Sequence, residues 1–167
     1  MNQTAPKLLL YISGDRMFGV SLERVDEVLP AFEMTGVPGL QRGVVGLVSL
    51  RGDILPVIRV DASATDNTVS LKAQDRFIVV RSSGRTFVLL AEQVCEIIDG
   101  DGDAEARPGY LAVNQSSIER VIMHEETMVF VLDTDRLIDD ASYRSESVST
   151  SVTEVREVHP NAVASPY

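Results

Sequence analysis

The sequence predicts an all-β protein of the barrel or sandwich class, made from two copies of one strand arrangement. Three observations carry that expectation. Short apolar runs of four to eight residues recur along the chain, most of them ending in a turn rich in Gly, Asp or Ser. A stretch of 22 residues recurs further along without a gap. The composition, 44% apolar and 24% charged over 167 residues, is that of an ordinary globule. A chain of this length buries roughly 70% of its extended surface, so it can build its own core.

The strands follow in order. Residues 8–12 are apolar, Ser13-Gly14-Asp15-Arg16 makes a turn, and residues 17–20 return. The stretch Val25-Asp26-Glu27-Val28-Leu29 alternates between two faces, with Val25, Glu27 and Leu29 on one and Asp26 and Val28 on the other. Residues 43–50 meet the turn Arg51-Gly52-Asp53 and continue as residues 54–58, a second hairpin. Pro56 lacks an amide donor, which places its strand at an edge or a bulge. Residues 77–80 with 86–90, and 118–123 with 127–132, supply two further hairpins.

The repeat places residues 8–29 over residues 77–98 at an offset of 69. Ser13, Arg16, Phe18, Glu23, Val25 and Glu27 fall on Ser82, Arg85, Phe87, Glu92, Val94 and Glu96. The second hairpins are matched at an offset of 72, with Val57, Val60 and Asp61 over Val129, Leu132 and Asp133. Two units of about 65 residues are each marginal alone, so they are expected to share an apolar interface. The domain spans residues 1–140, with one barrel at about 7–60, a second at about 75–135, and strand exchange between them allowed. Residues 62–74 are the expected link. In residues 141–167, Val148, Val152, Val155 and Val158 recur at helical spacing among many Ser and Thr, which are mediocre helix formers. That tail is either mobile or a short docking helix.

Charge narrows the function classes. Fifteen basic against 25 acidic residues leave a net charge of −10. Nucleic acid demands a basic footprint, and an anionic membrane surface repels the same acidity. The longest nearly apolar run is far shorter than the roughly 20 residues of a membrane helix. No basic stretch followed by an apolar one opens the chain, and its one cysteine cannot form an internal disulfide. The expected location is the cytoplasm.

Catalytic constellations are not apparent, so no enzyme, cofactor or metal is expected. His124 reads as a solvated turn residue beside Glu125 and Glu126, and His159 lies in the tail. Cys95, between Val94 and Glu96 in a strand pattern, reads as a small buried hydrophobe with no cation to activate it. The acidic run Asp99-Gly100-Asp101-Gly102-Asp103 resembles a calcium loop only in part: Ala104 and Tyr110 stand where such a loop needs Gly and Glu. What remains is surface for recognition. Glu27 sits between Val25 and Leu29, either at a strand margin or in an apolar groove with one polar group to orient a partner. Arg51, at a hairpin tip, is either solvated or an anchor of the kind enriched at interfaces.

The order of Phe18-Gly19-Val20, Val25-x-Glu27-Val28, Arg42-Gly43-Val44, Leu50-Arg51-Gly52, Ile54 and Pro56-Val57-Ile58 resembles the CheW-type coupling proteins of bacterial chemotaxis, over roughly residues 8–139. The sequence departs from the family pattern at Ser49, where Asn is common, at Arg59-Val60, where Asp-Leu is common, and at Val88, where Gly is common. The resemblance implies two SH3-like five-stranded β-barrels, related by a pseudo-twofold axis and packed on a shared hydrophobic core. It implies a non-catalytic adaptor, associated with membrane receptor arrays. Its partners would be the cytoplasmic tip of a chemoreceptor and the regulatory domain of a CheA-type histidine kinase. Carried over residue by residue, it puts Val25, Glu27 and Arg51 at or near the receptor-binding groove between the barrels, and makes Arg42 the family's basic residue before Gly-Val, counted with them as receptor- or kinase-binding. Alternatives are a related regulator serving another chemosensory output such as pilus motility, one that binds kinase without receptor, or an acidic-loop calcium-binding β-domain.

Overall fold

The apolar runs named above lie in strands. The computed structural model describes residues 4–40, 43–61, 69–101, 105–106 and 117–142. Strands β1 (Lys7–Ser13) and β2 (Arg16–Ser21) form the first hairpin, and a 3-10 turn (Leu22–Arg24) leads into β3 (Val25–Pro30). Strands β4 (Val44–Leu50) and β5 (Asp53–Ile58) form the second. Then come β6 (Arg76–Ser82), β7 (Arg85–Ala91) and β8 (Gln93–Asp99), the two-residue β9 (Glu105–Ala106), β10 (Ile118–His124), β11 (Thr127–Leu132) and the helix α1 (Thr134–Ser142).

All four hairpin turns have two residues and use left-handed backbone. Gly14 has φ 64, Arg51-Gly52 have φ 52 and 88, Ser83-Gly84 have 52 and 72, and Glu125-Glu126 have 45 and 65. The last three, with two successive left-handed residues, have the type I′ twist that matches the flanking strands; the first has one, at Gly14. Glycine takes the second place in two of these turns. The Glu125-Glu126 turn has none, and so carries two side chains in a region that L-residues resist.

The two sheets are not the two halves of the chain. One sheet has the order β8-β1-β2-β11-β10-β9 and the other β3-β6-β7-β5-β4. The first hairpin therefore joins strands from late in the sequence, while β6 and β7 join strands from early in it. The boundaries 7–60 and 75–135 delimit repeat units rather than sheets. The repeat is visible in the register: β1 pairs Leu8 with Ser21 on β2 and with Ile98 on β8, while β6 pairs Phe77 with Leu90 on β7 and with Leu29 on β3. A shift of 69 exchanges the two sets. The second hairpins require a correction. Their turns close at Leu50↔Asp53 and His124↔Thr127, so they correspond at 74 rather than 72. β5 and β11 then show one burial sequence: two exposed, one buried, one half-buried and two buried residues. Val57 thus matches Val131, and Asp61 matches Asp135. A two-residue slip keeps every side chain on its face, which is why the apolar pattern alone accepted the wrong offset.

Burial on both faces explains why the central strands read as continuous apolar runs. Leu8 and Leu10 of β1 point into one barrel with Ile122, Val129 and Val131. Phe77 and Val79 of β6 point into the other with Val48, Leu55, Val57, Val88 and Leu90. The alternate residues, Leu9, Tyr11, Phe18 and Val20 from one sheet and Ile78, Val80, Phe87 and Leu89 from the other, meet in a third core between the sheets. Two SH3-like barrels thus share one apolar interface. Full burial of each such side chain is worth about 1.5–3 kcal/mol. Gly19 leaves room in its barrel, since a Cβ there would stand 3.3 Å from Val129; in the other repeat unit Val88 fills the matching place.

Helix α1 closes the shared core with Leu137 and Ile138. Asp133 caps it by accepting from the Arg136 amide at 3.0 Å. Its first turn is tied to the β6–β7 turn, with Ser82 and Ser83 donating to Asp135. These hydrogen bonds hold the Asp135 carboxyl below the usual carboxylate range. The tail beyond Ser142, residues 62–68 of the link and residues 102–104, which include the end of the Asp99–Asp103 run, lie outside the described residues.

Candidate recognition surface

Strand β3 places the first candidate residues. Its burial alternates, with Val25, Glu27 and Leu29 half-buried and Asp26 and Val28 exposed. The face predicted to carry the acid is therefore the inward one. Val25 packs against the shared core and Leu29 against one barrel interior. The outward face presents Val28, 40% exposed, and Asp26, which accepts from Arg81 at 2.9 Å.

Arg51 meets Glu27 across the mouth of that barrel. The left-handed φ of Arg51 turns it from the hairpin tip toward β3, and its guanidinium donates to both carboxylate oxygens, one of them at 2.8 Å. A bidentate fork of this kind fixes both side chains. The hydrogen bonds from Arg51 hold the Glu27 carboxyl below its usual range, and Glu27 in turn raises the guanidinium. The arginine read as solvated or anchoring is thus paired within the chain while its side chain stays 71% exposed. Arg42 lies outside the described residues.

Two features went unread in the sequence. The first is a set of exposed apolar positions matched between the barrels. Ile54, three residues after Arg51, is 73% exposed, and its counterpart Met128 is 59% exposed. Val28 and its counterpart Ile97 are exposed as well. The repeat therefore places the same two apolar positions on the outside of each barrel. The alignment at 69 and 74 could have found them; the alignment at 72 could not.

The second is His124. It is not a solvated turn residue: it ends β10, is largely covered, and its Nε2 lies 3.0 Å from Oε1 of Glu96 on β8. One ligand atom each from Glu96, His124 and Glu125 lie within 4.8 Å of one another. Next to Glu96, Cys95 is half-buried against the barrel interior, and burial first, then the Glu96 charge, pushes its thiol up. A thiol so placed is a poor nucleophile.

No helix among the described residues is long and apolar enough to cross a membrane. Residues 7–142 match the model of the CheW-like domain. The chain is 20% identical over 145 residues to the chemotaxis protein CheW of Bacillus subtilis (strain 168), covering 86% of this chain and 93% of that protein. It is 25% identical over 131 residues to the chemotaxis protein CheW of Rhizobium meliloti (strain 1021), covering 77% and 84%. Its fold is similar to that of the scaffolding protein TtCheW from Thermoanaerobacter tengcongensis, with a TM-score of 0.66 at 20% identity, over 78% of this chain and 90% of that one. The doubled barrel, its shared core and the match over residues 7–142 make this chain a member of the CheW-like domain family.

Proposed function

We propose that this protein is a non-catalytic coupling scaffold of chemotaxis, holding the cytoplasmic tip of a chemoreceptor and the regulatory domain of a CheA-type histidine kinase at the same time. The observation that carries this reading is the duplicated apolar surface, Val28 with Ile54 on one barrel and Ile97 with Met128 on the other. Exposed apolar side chains that recur in pairs on two faces support two docking events rather than one. The Glu27–Arg51 pair orients the receptor at the mouth of its barrel, with Val25 behind it supporting β3, and Arg42 contributes to binding as the family resemblance implies. The matching face of the other barrel is left for the kinase. The chain works in the cytoplasm beneath a membrane receptor array. There, many linked copies raise the effective concentration, so each interface can be weak and small, at about 1,200 Å² or less.

The test is co-sedimentation of the purified chain with a kinase regulatory domain and a receptor-tip fragment, singly and together. The proposal expects binding to each and a ternary complex with both. Binding to the kinase domain alone would show a regulator without a receptor arm, and binding to neither would end the proposal. Arg51→Ala should weaken receptor binding roughly tenfold, as a moderate interface hot spot does, with an unchanged circular dichroism spectrum.

A further inference from the structure

The two barrels close their mouths with different chemistry. In one, Arg51 and Glu27 join the β4–β5 turn to β3. The repeat carries Glu27 onto Glu96, Leu50 onto His124 and Arg51 onto Glu125. Where the first barrel sets a guanidinium against one carboxylate, the second sets an imidazole and a second carboxylate against it. Among the described residues neither Glu96 nor Glu125 has a lysine or arginine ion-pair partner.

We propose that Glu96, His124 and Glu125 bind a divalent transition-metal ion of the zinc class, which takes the place that the Arg51 guanidinium holds in the other barrel. One imidazole nitrogen and two carboxylate oxygens are a ligand set that zinc accepts, whereas calcium and magnesium prefer oxygen alone. Ligands about 2.0–2.1 Å from a tetrahedral zinc stand about 3.3 Å apart. His124 Nε2 and Glu96 Oε1 are at 3.0 Å, so that pair is already spaced for one ion. Glu125 lies on the turn, its ligand atom within 4.8 Å of the other two, and its side chain is exposed. The Nε2 lone pair ligates when the ring proton sits on Nδ1, a tautomer open to a neutral histidine. The ion spans strands that are not hydrogen-bonded to each other: β8 ends its sheet, and β10 lies on the far side of β11. Binding therefore pins the seam of the barrel, and the remaining coordination positions face solvent.

The test is calorimetric titration of the full chain with zinc chloride, alongside magnesium and calcium chlorides, with the imidazole resonances followed by NMR. The proposal expects one zinc per chain at micromolar zinc, a shift of the His124 ring resonances, and a melting temperature raised by zinc. His124→Gln should lose affinity by more than the roughly tenfold that removal of a supporting group costs, and His159→Gln should bind as wild type does. Glu125→Arg recreates the charge pair of the other barrel: it should lose zinc binding and melt no lower than the metal-free wild type. Zinc binding unchanged in His124→Gln or in Glu125→Arg would overturn the proposal, as would the absence of both heat and His124 shift.

Discussion

Gly14→Ala should destabilise this protein well beyond the cost of its turn. Gly14 has φ 64, and Gly84, in the equivalent hairpin, has φ 72. Alanine in left-handed backbone costs about 1–2 kcal/mol, and the stiffer unfolded chain returns about 0.4–1 kcal/mol. At Gly84 nothing lies within 4 Å of an added Cβ, so Gly84→Ala should cost about 1 kcal/mol or less. At Gly14 the added Cβ would stand 2.6 Å from Oδ2 of Asp61 and 3.0 Å from its Cγ. Asp61 is 6% exposed, and that same oxygen accepts from Arg59 at 2.5 Å. Glu92, at the β7–β8 junction, accepts from the Gly14 amide at 3.0 Å, so the carboxylates around this turn have little room to retreat. Disturbing a buried, charged hydrogen bond adds about 1–3 kcal/mol, for a total of about 2–4 kcal/mol. At roughly 3 °C per kcal/mol for a domain of this size, the added 1–3 kcal/mol should make Gly14→Ala melt about 3–9 °C below Gly84→Ala. Thermal and urea denaturation of the two variants measure this. Equal losses would show that Asp61 does not pack on the first turn, and would refute the packing of the β1–β2 turn on the chain that follows β5.

Two further outcomes follow from the turns. Glu126→Gly should stabilise the protein by about 0.5–1 kcal/mol, since relief of φ 65 at Glu126 outweighs the entropy that glycine adds to the unfolded chain; urea denaturation reads it, and a loss of stability would contradict the left-handed turn. Glu27 should titrate below the ordinary glutamate value of about 4.3, because Arg51 hydrogen-bonds its charged form. The stability from this pair is then fully present above that ordinary value and is lost as pH falls through the depressed one. Arg51→Ala should return the Glu27 carboxyl toward the ordinary value, as followed by carbon NMR, and an unmoved titration would mean that the fork does not form in solution.

Local order was readable from the residues because it is written locally. The alternating and continuous apolar runs located the long strands, and the offset of 69 reproduces the pairing of β1 with β2 and of β6 with β7 to the residue. The exchange of strands between sheets was only allowed for, since no periodicity tells β2 that its parallel neighbour is β11 rather than β5. The face of β3 that holds Val25 and Glu27 was identified, but not that it turns inward, which depends on where β6 and the shared core lie. Arg51 and Glu27 were both singled out, yet their fork spans 24 residues of chain and His124 reaches Glu96 across 28. Pairings of that range come from barrel closure. Helix α1, short and acidic at its start, is held by Leu137, Ile138 and the Asp133 cap more than by propensity.

The central claim, two docking faces on one chain, is tested most directly by crossing a variant of each face with each partner. Ile54→Asp and Met128→Asp place a charge on equivalent exposed positions of the two barrels and should leave folding intact. Calorimetric titration with the receptor-tip fragment and with the kinase regulatory domain should show Ile54→Asp weakening only the receptor and Met128→Asp weakening only the kinase. Loss of the same partner in both variants, or competition between the two partners for the wild-type chain, would contradict it.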